Sequence, residues 1–142
     1  MPNHCYNRVE IYGDDPDQIK EIKEKLESKQ TCFDFNSIIP MPKELEGTDA
    51  PTRDPDSFEA KRLRKQHGHD NWYDWRLENW GTKWNSYSDQ IESYENEDSI
   101  TYGFETAWGP PVPIIYKLRE LYPEVDITAF YDEPGLELAG YL

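Results

Sequence analysis

Hydrophobic and polar residues follow regular patterns at both ends of the chain and an irregular pattern between them. Alternating apolar residues predict a strand at residues 5–12. An apolar stripe that begins after Asp15, a residue suited to cap a helix N-terminus, predicts a helix over 15–28. A second strand is predicted at 31–39, and Pro40 ends it because proline cannot donate to a ladder of hydrogen bonds. The first part of the chain therefore predicts a β-α-β unit.

The last third of the chain predicts two strands, a helix and a further strand. Strands near 88–95 and 99–108 flank a short polar turn, which makes them a hairpin. An apolar stripe predicts a helix over 111–122, and alternation predicts a strand at 125–131. Residues 138–142 are a candidate for an additional edge strand. On the second hairpin strand, five residues are predicted to share the apolar face: Ile100, Tyr102, Phe104, Thr106 and Trp108.

The order of these elements predicts the fold class. A β-α-β unit, an insert and a β-β-α-β unit are typical of a ferredoxin-like split β-α-β sandwich, an α+β fold. We predict one domain over 1–142, with a four-stranded antiparallel sheet whose first and last helices lie on one face. The insert at about 40–87 is too long for a connector. It is predicted to form a helical, aromatic-rich lobe with helices at 57–67 and about 70–79.

The aliphatic content and the net charge argue against a folded domain, whereas the aromatic content argues for one. Leu, Ile, Val and Phe make up about 19% of the 142 residues, and the net charge is −14. Few aliphatic residues with a high net charge are typical of disordered chains. Five Trp and ten Tyr reverse that interpretation, because large aromatic side chains can supply most of a core.

The negative charge is concentrated in the second part of the chain. Residues 85–142 contain 2 Lys and Arg against 12 Asp and Glu, so they carry −10 of the net −14. Such a surface repels phosphate backbones and attracts basic surfaces. Direct binding to nucleic acid is therefore disfavoured, and a basic protein surface is the predicted partner.

The sequence lacks the patterns that would indicate a membrane span, export or a metal site. No apolar run reaches the length of a membrane span, and the N-terminus has no signal-peptide character, so a cytoplasmic location is expected. Cys5 and Cys32 are then expected to be reduced thiols, with a disulfide between them as the alternative. These cysteines with His4, His67 and His69 lack the spacing of a closed zinc site. Neither a metal nor a cofactor is predicted.

The sequence reveals no catalytic constellation, which leaves enzymatic activity open. Glu92, Glu95 and Glu97 could supply paired carboxylates, but they fall near a hairpin tip, where a solvated edge is the better interpretation. Phosphate loops, dinucleotide fingerprints and serine elbows are absent from the sequence. The basic cluster at 61–65 is interpreted as a solvated helix face or as an intramolecular partner of the acidic half.

Tryptophans near the end of the insert are the strongest candidates for a binding site. Trp80 and Trp84 surround a glycine turn together with Lys83. They either plug the helical lobe into the sheet or, where exposed, anchor a partner, because exposed tryptophans dominate the energy of many interfaces. Trp108, before a Gly-Pro-Pro sequence, has the same two interpretations.

Five separated motifs resemble a known family. In chain order they are MPNHCYNRV at 1–9, FDFNSIIPMP at 33–42, NWGTKW at 79–84, TAWGPP at 106–111, and EPG at 133–135 with AG at 139–140. The chain thus resembles, over nearly its whole length, the YubB-type proteins of phages and conjugative plasmids. That resemblance implies a ferredoxin-like domain and a mobile genetic element as its origin. It implies no catalytic residues.

Two functional hypotheses remain from the sequence. The leading one is a non-catalytic accessory protein of a mobile element that binds another protein, in a sharper version by imitating nucleic acid with its acidic face. The alternative is a small-ligand-binding protein or an enzyme, with a pocket between the sheet and the aromatic insert. A deep cleft lined by Trp80, Lys83 and Trp84 would favour the alternative, whereas a filled interface would favour protein binding.

Overall fold

A computed structural model describes residues 3–94 and 97–142 of the chain. Its last part has the predicted order of strands and helices, whereas its first part has the predicted strand and helix without the second strand, and two helices lie in the middle. In chain order they are β1 (His4–Tyr12), α1 (Pro16–Leu26), α2 (Phe58–His67), α3 (Trp72–Asn79), β2 (Tyr87–Ser93), β3 (Ser99–Ala107), α4 (Val112–Leu121), β4 (Asp126–Glu133) and β5 (Leu138–Tyr141).

The strands form a single sheet in the order β2-β3-β1-β4-β5, counted over the described residues. Every neighbouring pair is antiparallel. The sequence β1-α1-β2-β3-α4-β4 is the split β-α-β pattern, so the predicted α+β, ferredoxin-like fold is confirmed. The sheet has five strands rather than the four predicted, because β5 adds to the edge at β4.

Both long helices of the sandwich cover the same face of the sheet. Along β1 the residues alternate between buried and exposed. Its buried residues Val9 and Ile11 belong to one core cluster with the apolar side chains of α1 and α4. Asp15 caps α1 as predicted, accepting a hydrogen bond from the backbone N–H of Asp17 at 3.0 Å. The exposed side of β1 marks the opposite face, which these helices leave open.

The predicted strand at 31–39 is wrong, and the second strand of the sandwich is β2, at Tyr87–Ser93. Several backbone N–H groups of residues 31–39 donate to side chains rather than to the carbonyls of a neighbouring strand. Those of Cys32 and Phe35 donate to Asp89 at 2.8 Å and to Asn85 at 2.9 Å. Since distant polar side chains supply the acceptors, the alternating pattern folds as a loop with a short 3₁₀ helix at Phe35–Ser37.

Residues 27–86 therefore separate α1 from β2, starting earlier than the insert predicted at about 40–87. The predicted helices at 57–67 and about 70–79 correspond to α2 and α3. Phe33, Phe35 and Trp80 of this segment belong to the same cluster of buried side chains as Phe104 on β3. None of the helices in the described ranges is both long enough and apolar enough to cross a membrane.

Candidate functional site

Trp80 is a core residue. Its side chain is fully buried, and its indole N–H donates to the backbone carbonyl of Ile39 at 2.8 Å. Its ring packs edge-on against Phe35 and Trp75, with centroid distances of 5.6 and 5.8 Å. Trp80 therefore plugs the insert into the sandwich, and a partner cannot reach it.

Trp84 and Trp108 are the exposed tryptophans among the predicted site residues. Trp84 is 38% exposed, and the Lys83 ammonium lies 4.5 Å from the centroid of its ring. Trp108 is 49% exposed, and its backbone has the left-handed φ of 71°. The prediction that Trp108 shares the apolar face of β3 is wrong, because β3 ends at Ala107 and this φ turns the chain away from the sheet.

The two acidic candidates among the described residues, Glu92 and Glu97, lie in different places. Glu92 lies on β2 and accepts a hydrogen bond from the Tyr6 hydroxyl across the sheet at 2.5 Å. Glu97 lies beyond β2, exposed and with a left-handed φ of 60°. Glu95 lies outside the described residues. The structure thus places Glu92 on the sheet surface, apart from the tryptophans of the insert.

The Tyr6–Glu92 contact is possible because Gly103 on β3 has no side chain. A Cβ atom at Gly103 would collide with the Glu92 carboxylate and lie 3.2 Å from the Tyr6 hydroxyl. The hydrogen bond to Glu92 raises the pKa of the Tyr6 hydroxyl, since it stabilises the protonated form beside a negative charge. The pair spans β1 and β2 over the glycine.

We call the uncovered side of the sheet the open face. Strand register and cross-strand contacts place aromatic, acidic and few basic residues on it. Its members are His4, Tyr6, Arg8, Glu10, Tyr12, Tyr87, Glu92, Thr101, Glu105, Asp126, Thr128, Phe130, Asp132 and Tyr141.

Charge on the open face is predominantly negative. Over the described residues it carries five carboxylates against one guanidinium, that of Arg8. The Arg8 guanidinium lies 5.6 Å from the centroid of the Phe130 ring, and Phe130 packs against Tyr141 at 5.3 Å. Tyr141 itself is 68% exposed. The open face therefore combines acidic groups that form no ion pair with the described residues and aromatic side chains that solvent can reach.

The open face shows which residues the sequence predictions missed. Of the predicted candidates that the structure describes, only Glu92 lies on it, whereas Tyr6, Arg8, Glu10 and Tyr141 were not singled out. The signal that could have found them is the alternation of β1. Its apolar residues define the covered side, so the residues between them must face the other side.

Both arginines of the basic cluster on α2 are paired within the insert. Arg62 bonds to Glu59, and to Glu44 at 3.1 Å, and Arg64 bonds to Asp70. The prediction of a partner in the acidic half of the chain is therefore wrong for these arginines, because acidic residues of the insert itself lie nearer. Hydrogen bonding to His67 is the main cause that lowers the pKa of Glu44.

Neither cysteine is suited to nucleophilic chemistry at neutral pH. Both are free thiols, Cys5 buried on β1 and Cys32 half-buried in the loop after α1. Burial raises the pKa of Cys5 to about 11 and that of Cys32 to about 12. Throughout residues 3–94 and 97–142, no group of three or more His, Cys, Asp or Glu side chains is arranged to hold a metal ion.

Comparisons with known proteins agree with this architecture. Residues 79–142 match the family model described as a ferredoxin-like domain in Api92-like protein. The structure is also similar to the crystal structure of Api92 from Yersinia pseudotuberculosis, with a TM-score of 0.63 and 10% sequence identity over 99% of this chain and 93% of that chain. At that identity the likeness shows the fold alone. No curated protein matches the sequence of this chain.

Proposed function

We propose that this chain is a non-catalytic accessory protein that binds a basic surface of a partner protein through its open face. The observation that carries the proposal is the uncovered sheet surface with five carboxylates and one guanidinium among its described residues. Burying such a surface against a neutral partner would leave charges unpaired, which is costly. A basic partner would instead supply complementary charge.

Aromatic side chains on the open face supply the apolar part of such a contact. Tyr6, Tyr12 and Tyr141 are exposed to 37%, 44% and 68%. Tyrosine is enriched at interfaces because it combines a large apolar ring with a polar hydroxyl group. Acidic groups around such rings would speed association with a basic surface and fix its orientation.

We further propose that the chain serves a mobile genetic element in the cytoplasm and acts on a host protein. The support is the resemblance of its five motifs to YubB-type proteins of phages and conjugative plasmids. In the sharper form of this proposal, the acidic open face takes the place of a phosphate backbone on a host nucleic-acid-binding protein. A basic groove that binds phosphates would accept this face for the same electrostatic reason.

The test uses basic proteins from the cells in which the chain is made. Their extract is separated on heparin into a retained, basic fraction and a flow-through, and the intact chain is used to capture proteins from each. The captured protein is then purified and its affinity measured at low and high salt. We expect capture from the retained fraction and weaker binding at high salt, since exposed charges are screened beyond about 10 Å at 0.1 M salt.

Matched variants locate the contact. The first changes Glu10→Gln, Glu105→Gln and Asp132→Asn on the open face. The control makes the same change in charge on the other side of the molecule, with three Glu→Gln substitutions at positions 21, 24 and 27, which are exposed on or next to α1. Substitutions at exposed positions usually change stability by about 0.5 kcal/mol or less, and all of these positions are exposed except the half-buried Glu105.

Only the open-face variant should bind more weakly. Equal weakening by both variants, or capture from the flow-through alone, would contradict the proposal. Displacement of the chain by duplex DNA would support the nucleic-acid mimic, and formation of a complex of chain, partner and DNA would exclude it.

A further inference from the structure

A cavity of about 300 Å³ opens beside the start of β2, away from the buried interface between insert and sheet. Its walls come from the loop after α1, from α3 and from the segment that leads into β2. Trp84 and Tyr87 supply aromatic walls, with ring centroids 6.0 Å apart. A second cavity of about 270 Å³ shares Trp84 and Arg76 with the first. The volume of the first cavity lies at the lower end of the range for small-molecule sites.

Arg76 is the charged group of this cavity, and it forms no ion pair with the described residues. Over the described residues, no carboxylate oxygen lies within 4.0 Å of its guanidinium. The guanidinium is held between Trp72 and Trp80, at 5.1 and 4.8 Å from their ring centroids. One of its N–H groups donates to the backbone carbonyl of Lys83 at 3.2 Å. Position and orientation of the side chain are thereby fixed.

One donor atom of Arg76 has no acceptor among the described residues. Its Nε atom is buried without a hydrogen-bond partner in the part of the chain that the structure describes. Burial lowers the pKa of Arg76, and the charge of Glu46 acts in the opposite direction. A buried donor without an acceptor costs free energy, on the order of 1–3 kcal/mol. Because Arg76 lines the cavity, a ligand with a negatively charged oxygen would offset the charge of its guanidinium there.

The other polar walls also favour an anion. Residues lining the first cavity include one guanidinium and no carboxylate, although the chain carries a net charge of −14. Asn36 accepts a hydrogen bond from the Met41 N–H through its side-chain oxygen, which leaves its amide nitrogen free to donate. Gln30, exposed at the same rim, has a further amide nitrogen.

We propose that this cavity binds a small molecule that joins an anionic oxygen group, carboxylate or phosphate, to a flat ring. The anionic group contacts Arg76 and the amide of Asn36, and the ring packs against Trp84. Arginine is suited to this task because its planar fork matches both kinds of anion. The proposal does not rest on the proposed protein partner, although Tyr87 lines this cavity and also lies at the edge of the open face.

The experiment follows the indole N–H signal of Trp84 in NMR spectra, assigned with the variant Trp84→Phe. Four probes are titrated into the intact chain: inorganic phosphate, benzoate, adenosine monophosphate and adenosine. We expect saturable shifts with benzoate or adenosine monophosphate and weaker or no binding by phosphate and adenosine, which each supply half of the recognised chemistry. Tighter binding of benzoate identifies a carboxylate ligand, and tighter binding of adenosine monophosphate a phosphate ligand.

Asn36→Asp is the decisive variant. Aspartate keeps the acceptor for the Met41 N–H but replaces the free donor by a negative charge. Binding should weaken by about tenfold or more, the effect expected for a lost donor and a repulsive charge. Gln90→Glu, which adds the same charge at an exposed position of β2 outside the cavity, should leave the affinity unchanged.

Three results would overturn the inference. They are an unchanged affinity in Asn36→Asp, adenosine binding as tightly as adenosine monophosphate, and no shift of the Trp84 signal with any probe. Arg76→Met provides a second check, since methionine keeps an apolar stem between the tryptophans. Circular dichroism should show that this variant folds. The titrations should show that it no longer binds benzoate or adenosine monophosphate.

Discussion

Substitution of Trp80 tests whether the insert and the sandwich share one core. Trp80 is fully buried at their junction, where its ring contacts Phe35 and Trp75 and its N–H bonds to the Ile39 carbonyl. Trp80→Ala removes these contacts together. Trp80→Phe keeps a ring in the same place but removes the donor.

The expected magnitudes follow from burial and hydrogen bonding. Replacing a buried tryptophan by alanine costs about 3–5 kcal/mol through lost burial and the cavity that remains. The Ile39 carbonyl also loses its donor, which adds on the order of 1 kcal/mol. We therefore expect the free energy of unfolding to fall by about 4–6 kcal/mol for Trp80→Ala and by about 1–3 kcal/mol for Trp80→Phe.

Urea unfolding followed by far-ultraviolet circular dichroism measures these losses without relying on tryptophan fluorescence. With a denaturant slope of about 2 kcal/mol/M, the midpoint for Trp80→Ala should fall by about 2–3 M. Trp84→Ala is the control, because Trp84 is 38% exposed and should cost about 1 kcal/mol. A midpoint for Trp80→Ala no lower than that for Trp84→Ala would refute the shared core.

Three further predictions test other parts of the structure. Hydrogen bonds outweigh burial and lower the pKa of Asp70, so Asp70→Asn should cost about 1–3 kcal/mol at pH 7. That cost should begin to shrink near pH 4 and disappear as the pH falls through the lowered pKa of Asp70, because the folded wild type loses its charged carboxylate only there; a cost independent of pH in urea titrations would contradict this. Gly81→Ala should lower the thermal midpoint more than Gly68→Ala. Both glycines have left-handed φ values, but only at Gly81 would a Cβ meet another side chain, at 2.9 Å; equal shifts would refute the predicted collision. Denatured, unreduced protein should titrate two thiols, Cys5 and Cys32, and finding none would show a disulfide.

Periodicity predicted the strands and helices of the sandwich well, because each has one covered and one solvated side. In β1 every second residue is buried, and three of these four residues, Cys5, Val9 and Ile11, are apolar, which indicates both the strand and its buried face. The same signal failed at 31–39, where Phe33 and Phe35 are both buried although the backbone forms no ladder. Acceptors for that backbone come from Asn85 and Asp89, more than 45 residues away, and a local pattern carries no information about them.

The candidate sites were predictable only in part. Trp80 and Trp84 have similar neighbours in the sequence, and tertiary packing alone decides that the first is buried and the second exposed. The arrangement of Trp72, Arg76 and Trp80 was open to prediction, because residues four apart lie on one side of a helix. What the sequence could not indicate is that no carboxylate of the described residues neutralises Arg76.

The most direct test of the proposed function is to map the partner's contact on the chain. Aromatic side-chain NMR signals of the intact chain are recorded before and after addition of the captured basic protein. Binding through the open face predicts that the signals of Tyr6, Phe130 and Tyr141 change while the indole signal of Trp84 stays in place. Changes at Trp84 with unchanged signals from those three rings would contradict the proposal and place the contact on the insert.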